Sequence, residues 1–137
     1  MTKLKKAGLV LYYVKDDDIF FRCMIPSDPQ YGGSSPQIPK GTIDEGDSPK
    51  FTAIKECIEE CGLLPLNLAS IEEFKVYPSM KMAIYIGTVN NTDSFSKPHW
   101  ESKWSGWVSY NKDRHKLRNL QLHIFDDIVQ HIMAGEK

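Results

Sequence analysis

Apolar residues recur along the chain with two different spacings, which together predict a mixture of strands and helices. Runs rich in Val, Leu, Ile and Tyr predict four strands, at residues 7–14, 19–24, 66–77 and 81–89. Three acidic residues separate the first two runs, so these two strands are expected to form an antiparallel hairpin. Residues 26–39 contain four prolines and two adjacent glycines, and they are expected to form a surface loop.

Spacings of three and four residues predict two helices. In the first, Ser48 is a suitable N-cap, Pro49 fits the first helical position, and Gly62 marks the end. Its core face is expected to consist of Phe51, Ile54, Ile58 and Cys61, with Ala53 and Cys57 at the margin. The second helix is predicted over residues 120–133, where it packs on the sheet through Leu120, Ile124, Phe125, Ile128, Val129, Ile132 and Met133.

The composition agrees with one α/β (α+β) domain over residues 1–137. A chain of 137 residues, 41% of them hydrophobic, can bury one sizeable core but is too short for two ordinary domains. The formal net charge of −1 argues against a general polyanion-binding surface, so any nucleotide recognition must be local. Cys23, Cys57 and Cys61 follow no metal-binding spacing and indicate a reducing, cytoplasmic setting. No apolar run is long enough to cross a membrane.

Three glutamates lie on one side of the first predicted helix. At about 100° per residue, Glu56, Glu59 and Glu60 fall within roughly a third of a turn of one another. Like charges at such spacings destabilise an isolated helix by about 0.2–0.5 kcal/mol per pair, unless a cation lies among them. Hard oxygen ligands with no neighbouring His or paired thiolates suit Mg²⁺, or Mn²⁺, better than zinc. The alternative interpretation is a solvated acidic helix face.

The segment that contains these glutamates, GTIDEGDSPKFTAIKECIEECGL at residues 41–63, resembles the signature of the Nudix hydrolase family. In that signature a Gly is followed after five residues by Glu, and after seven more by Arg-Glu-apolar-x-Glu-Glu-x-Gly-apolar. The matching positions are Gly41, Glu56, Glu59, Glu60, Gly62 and Leu63. Three positions differ from the signature: Asp47 replaces Glu, Lys55 replaces Arg, and Cys57 replaces a bulky aliphatic residue.

The resemblance implies a Nudix fold, in which a mixed β-sheet lies between helices. It implies that Mg²⁺ is bound by the Gly41 carbonyl and by the side chains of Glu56, Glu59 and Glu60. It also implies that Asp47 and Lys55 orient the ligand carboxylates, with less reach and without the planar geometry of guanidinium. The implied reaction is hydrolysis of a phosphoanhydride bond in a nucleoside diphosphate derivative, in which the metal ion activates water and neutralises charge on the phosphate.

Two further segments resemble one branch of this family. Residues 36–41, PQIPKG, are similar to the segment before the signature in enzymes that act on dinucleoside polyphosphates or RNA 5′ ends, although the Trp of that segment is missing. Lys40 is therefore a candidate phosphate contact. Glu101 lies six residues before Trp107, as a Glu does in the RNA 5′-pyrophosphohydrolase and dinucleoside polyphosphate hydrolase branch. Glu101 is a candidate fourth carboxylate, and either Glu59 or Glu101 would act as the base.

These resemblances favour RNA 5′-triphosphate ends or dinucleoside polyphosphates as substrates, with ADP-ribose or a nucleoside triphosphate as alternatives. A non-catalytic module that binds nucleotide or RNA is an alternative of another class. Trp100 and Trp104 could stack on a base, whereas Trp107, in a strand, is expected in the core. The basic residues before the last helix are Lys112, Arg114, His115, Lys116 and Arg118. They are interpreted as a solvated helix start, with RNA-backbone contact as the alternative, and a monomer and a homodimer both remain open.

Overall fold

The structure is a computed structural model that describes residues 3–135. In this part of the chain, six strands form one mixed sheet: β1 (Lys6–Lys15), β2 (Asp18–Pro26), β3 (Lys40–Thr42), β4 (Leu68–Tyr77), β5 (Met82–Val89) and β6 (Ser102–Ser109). The strand order is β4-β5-β1-β2-β6, and the short β3 also pairs with β1. β1 and β5 are parallel, and the other pairs are antiparallel.

Helices cover both faces of this sheet. The helices are α1 (Pro49–Cys61), α2 (Tyr110–Asp113) and α3 (Leu122–Gly135), and none in residues 3–135 combines the length and apolar character needed to span a membrane. Alternate residues of β1 belong to different apolar clusters: Leu9 and Leu11 lie with residues of α1, and Val10 lies with residues of α3. The predicted mixed sheet between helices is confirmed.

The predicted hairpin forms through a two-residue turn. Asp16 and Asp17 have φ angles of 52° and 61°, and Lys15 pairs directly with Asp18. Positive φ at both central residues is the conformation that suits the right-handed twist of a tight hairpin. The buried Asp18 carboxylate then accepts hydrogen bonds from the backbone amides of Ile19 and Asn111. This turn therefore helps to tie the hairpin to the start of α2.

The predicted core faces of both helices were partly wrong. Phe51 is 53% exposed, and the fully buried apolar side chains of α1 are the small ones, Ala53, Cys57 and Cys61. Small side chains let a helix approach a sheet closely, which leaves a large residue in the first turn outside the contact. In the apolar face predicted for the second helix, Leu120 is 64% exposed because it lies in a 3-10 turn before α3, and Met133 is also exposed.

Three details of this structure differ from the sequence prediction. β4 begins at Leu68, because the residues before it form a 3-10 turn, Pro65–Asn67. The strand β3 was not predicted, and the loop at 26–39 is buried near its end, at Gln37 and Ile38.

Candidate active site

The ends of α1 are set by local hydrogen bonds. The Ser48 side chain accepts a hydrogen bond of 3.1 Å from the Phe51 amide, and Pro49 occupies the first turn. Gly62 ends the helix in the left-handed conformation, with φ 74°. Both predicted ends are confirmed. Since Glu56 and Glu60 are four residues apart, they follow one another on the same side of the helix.

Gly41 lies against the Glu56 side chain. The pairing of β3 with β1 places Gly41 opposite Ala7. A Cβ atom at position 41 would overlap the Glu56 carboxylate, with Oε1 and Cδ as its nearest neighbours. Glycine leaves room for the carboxylate in this position, so these two signature residues share a single packing constraint although they come from β3 and α1.

A cavity of about 800 Å³ opens beside this contact. It is bounded by β3, by α1, by the loop at 26–39 and by the segment just before β6. Five of the predicted site residues line it: Lys40, Gly41, Glu56, Glu60 and Glu101. The cavity lining formed by the described residues does not include Asp47, Lys55 or Glu59. The structure thus brings most of the predicted site residues together, from three separate segments of the chain.

Glu60 is the most deeply buried carboxylate at the cavity. Its side chain is 9% exposed, and within residues 3–135 its Oε2 atom has no hydrogen-bond partner. Burial raises the pKa of Glu60 to about 9, and the charge of Glu56 adds to the increase. Burial likewise raises the pKa of Glu56 to about 7, with a further contribution from Glu59. Without a nearby cation, this pair of carboxyl groups destabilises the folded state as they ionise.

The residues at this site fit a hard divalent cation. All of the side-chain donors are carboxylate oxygens, one of them buried and unpartnered among the described residues. In the positions that they take here, however, no three His, Cys, Asp or Glu side chains of residues 3–135 converge on a point that could hold a metal ion. Glu56 and Glu60 face the cavity, whereas Glu59 lies beside it. A metal ion bound by all three glutamates would therefore require their side chains to reorient.

Hydrogen bonds between two loops position Glu101 at the cavity. The Ser27 amide donates a 2.8 Å hydrogen bond to the Glu101 carbonyl, and the Ser27 hydroxyl donates a 2.7 Å bond to the Trp100 carbonyl. These bonds hold the segment before β6 against the end of β2. The negative charge of Glu101 contributes to the raised pKa of both Glu56 and Glu60. The acid selected by its spacing from Trp107 therefore lies close to the helix glutamates.

The residues predicted to orient the glutamates form a different contact. The Lys55 ammonium lies 3.5 Å from the carboxylate of Asp44, which the sequence analysis did not select. The Asp47 backbone amide instead donates a 3.0 Å hydrogen bond to the Asp44 carbonyl. The turn closed by this hydrogen bond brings Asp44 back to Lys55 on the helix.

The basic cluster before α3 divides into two groups. Arg114 and Lys116 form surface ion pairs with Asp126 and Asp113. Arg118 instead lines the cavity, together with Lys6 and Lys40. Sequence reasoning missed Lys6 and misjudged Arg118 because neither belongs to a periodic or motif-like pattern. Their shared location depends on which strands are neighbours.

Aromatic residues lie at the cavity and behind it. Tyr31 and Trp100 line the cavity and are 73% and 84% exposed, so both rings are accessible to a ligand. Trp107 packs edge-on against Tyr13 and Phe95 and donates a 2.8 Å hydrogen bond to the Thr92 carbonyl. It is partly buried against the apolar cluster that Leu9 and Leu11 form with residues of α1, in agreement with the expected core position.

Comparison with known proteins gives a structural match. No family model and no curated protein sequence matches this chain. A crystal structure of a binary complex of Ap4A hydrolase from C. elegans superposes with a TM-score of 0.72 over 96% of this chain and 99% of that one, at 23% identity. The NUDIX domain of Shewanella oneidensis NrtR, complexed with ADP ribose, superposes with a TM-score of 0.71 over 96% of this chain and 90% of that one, at 14% identity.

A third solved structure agrees with these two. The Nudix hydrolase RenU from M. smegmatis superposes with a TM-score of 0.69 over 96% of this chain and 90% of that one, at 12% identity. The chain has the Nudix fold. Within this Nudix fold, the segment that resembles the Nudix signature forms β3, α1 and the turn between them, and it provides one wall of the cavity.

Proposed function

We propose that the protein is a metal-dependent Nudix pyrophosphohydrolase that cleaves a phosphoanhydride bond in a nucleoside diphosphate derivative. The main support is the buried Glu60 carboxylate, whose Oε2 atom lacks a hydrogen-bond partner within residues 3–135 at a cavity shared with Glu56 and Glu101. A buried acid of this kind destabilises the fold, so it is expected where function requires it. The Nudix fold and the signature-like sequence of α1 support the same conclusion.

The proposed metal ligands are Glu56, Glu59, Glu60 and the Gly41 carbonyl, with Mg²⁺ as the expected ion and Mn²⁺ as the alternative. When bound, such an ion neutralises charge on phosphate oxygens and lowers the pKa of water. Lys40 stabilises negative charge on the phosphate that is attacked. A carboxylate of Glu59 or Glu101 accepts the proton from the attacking water, and the position of Glu101 at the cavity favours Glu101.

The proposed substrates are RNA 5′-triphosphate ends or dinucleoside polyphosphates. The exposed rings of Tyr31 and Trp100 can stack on a nucleobase at the cavity. ADP-ribose is the alternative substrate, since one structure with this fold was solved with ADP ribose bound. A reducing, cytoplasmic setting is part of this proposal, because three cysteines without a metal-binding spacing are typical of intracellular proteins.

A second candidate is a nucleotide-binding module without turnover. Its support is that the cavity residues expected to contact a nucleotide, Tyr31, Lys40 and Trp100, would serve binding without turnover equally well. Such a module would bind the same nucleotides at the same cavity. Only a measurement of product formation separates it from an enzyme.

The test is hydrolysis of diadenosine tetraphosphate, triphosphorylated RNA and ADP-ribose with Mg²⁺, Mn²⁺ or a chelator. Mass analysis of products formed in heavy-oxygen water identifies the phosphorus that is attacked. Glu60→Gln should lower kcat by about 100-fold or more, because even the outer partners of metal ligands contribute about 10–100-fold. Glu73→Gln, at an exposed position on β4, is the matched control. If wild type binds these nucleotides but releases no product with either ion, the protein is a binding module.

A further inference from the structure

Three basic side chains meet at one side of the cavity. Lys6 begins β1, Lys40 begins β3, and Arg118 precedes the 3-10 turn Asn119–Gln121. All three also line a second cavity of about 220 Å³, whose other lining residues are Met80, Met82, Leu120 and Gln121. The basic side chains therefore lie where the two cavities meet, and the glutamates line only the larger one.

The strand pairing places the two lysines on one face of the sheet. Lys40 lies opposite Gly8 in the antiparallel pair of β3 and β1, and Lys6 is two residues before Gly8. Residues related in this way are diagonal neighbours on the same face. Gly8 adds no side chain between them, and a Cβ atom there would already be tight against the Lys40 Cβ, at 3.2 Å.

Arg118 is held close by the loop at 26–39. Its backbone amide donates a 2.9 Å hydrogen bond to the Pro36 carbonyl. A Cβ atom on Gly32 would lie 2.5 Å from the Gln37 side-chain nitrogen and 2.9 Å from the Arg118 Nη1 atom, and Gly32 has a φ of 128°. Glycine at this position therefore leaves space for both side chains beside the cavity.

None of these three cations forms a direct ion pair in the described part of the chain. The ion pairs found there involve Lys55, Lys75, Arg114, Lys116 and His131. Glu56 and Glu60 line the larger cavity together with the three cations, but neither carboxylate is directly paired with any of them. A cluster of like charges whose members have no directly paired anion is stabilised when a polyanion binds.

We propose that Lys6, Lys40 and Arg118 form a subsite for a linear chain of three or more phosphates, which extends from the glutamates towards the smaller cavity. In naming the chain as part of a nucleotide, the assignment rests on the proposed function. A guanidinium binds two phosphate oxygens at once, and the two ammonium groups supply further charge along the chain. Substrates with only two phosphates, such as ADP-ribose, fill the subsite incompletely.

The direct test is calorimetric binding of inorganic triphosphate to the full chain in the presence of a chelator. Arg118→Gln and Lys6→Gln should each weaken binding by about tenfold, because each removes a charge-assisted hydrogen bond. Lys112→Gln is the control, since Lys112 is an exposed residue of the same basic segment and lies outside both cavities. Equal affinities for wild type and all three variants, or no binding by wild type, would overturn the proposal.

A kinetic comparison tests whether the subsite measures chain length and distinguishes the sources of the phosphate chain. Arg118→Gln should raise KM for diadenosine tetraphosphate and triphosphorylated RNA by about tenfold, and should leave KM for ADP-ribose within about twofold. An equal rise for all three would show that the subsite does not select longer chains. If wild type cleaves none of them but the variants still lose triphosphate binding, then the proposed enzyme function fails and the subsite stands.

Discussion

The two helices that cover the sheet bury opposite kinds of side chain. α3 buries Ile124, Phe125, Ile128 and Ile132, all large and apolar. α1 buries mainly small or polar residues: Thr52, Ala53, Cys57, Glu60 and Cys61. Two buried oxygen atoms on α1, Thr52 Oγ1 and Glu60 Oε2, have no hydrogen-bond partner within residues 3–135.

This difference separates stability from function. The apolar side chains of α3 are removed from water without leaving polar groups unpaired, so α3 contributes mainly to folding. Burial of Glu60 opposes folding whenever this carboxyl group is charged. A protein retains such a residue where a ligand or a reaction compensates for it. Substitutions in one helix or its surroundings, with the other helix unchanged, test this separation.

The largest expected effect is a loss of stability when a buried side chain of α3 is shortened. Ile128→Ala should lower the free energy of unfolding by about 2–5 kcal/mol, because it leaves a cavity in a fully buried position. Urea unfolding measures this loss, and Met133→Ala, at an exposed position of the same helix, should change stability by less than about 0.5 kcal/mol. The kcat of folded Ile128→Ala should match wild type. A large fall in kcat would show that α3 also shapes the active site.

The next largest effect is a loss of activity when the contact between β3 and α1 is disturbed. Gly41→Ala should lower kcat/KM by about 10–100-fold, because its Cβ atom displaces the Glu56 carboxylate. Gly135→Ala is the control, since a Cβ atom at this end of α3 meets no atom of the described residues within 4 Å. Steady-state kinetics and thermal melts should be compared for both variants. Wild-type kinetics for Gly41→Ala would show that the position of Glu56 is not critical.

A smaller effect concerns the pH dependence of stability without divalent ions. The folded-state pKa of Glu60, about 9, is above its ordinary value of about 4.5, so wild type loses stability as pH rises between these values. Gln has no proton to lose, so Glu60→Gln should be more stable than wild type at pH 8 by roughly 1–3 kcal/mol and similar below pH 4.5. Urea unfolding with a chelator at both pH values measures the difference. A variant less stable than wild type at pH 8 would contradict the destabilising role of this carboxylate.

The smallest effect is on substrate binding at the cavity mouth. Trp100→Ala should raise KM about two- to tenfold, which corresponds to the loss of one stacked ring at about 0.5–1.5 kcal/mol. Trp104→Ala is the control, because the Trp104 ring packs over Gly106 and lies outside the cavity. Quenching of tryptophan fluorescence by a non-hydrolysable nucleotide should disappear in Trp100→Ala alone. Equal quenching in both variants would place the base elsewhere.

The sequence by itself determined the features that depend on neighbouring residues. The ends of α1 follow from hydrogen bonds made within one turn of Ser48 and Gly62, and the acidic hairpin turn follows from two adjacent residues. The close spacing of Glu56, Glu59 and Glu60 follows from helix geometry. The resemblance of this short segment to the Nudix signature was therefore sufficient to predict the fold.

Only the tertiary structure decided which side chains meet at the cavity. Lys6, Lys40 and Arg118 are far apart in the chain, and they come together because β3 pairs with β1 and because the loop at 26–39 holds Arg118. The buried face of α1 was mispredicted for a related reason. Periodicity identifies apolar residues, but the closeness of the sheet decides that Ala53 and Cys57, rather than Phe51, are buried. Contacts between distant segments depend on the strand order, which no local pattern in the sequence encodes.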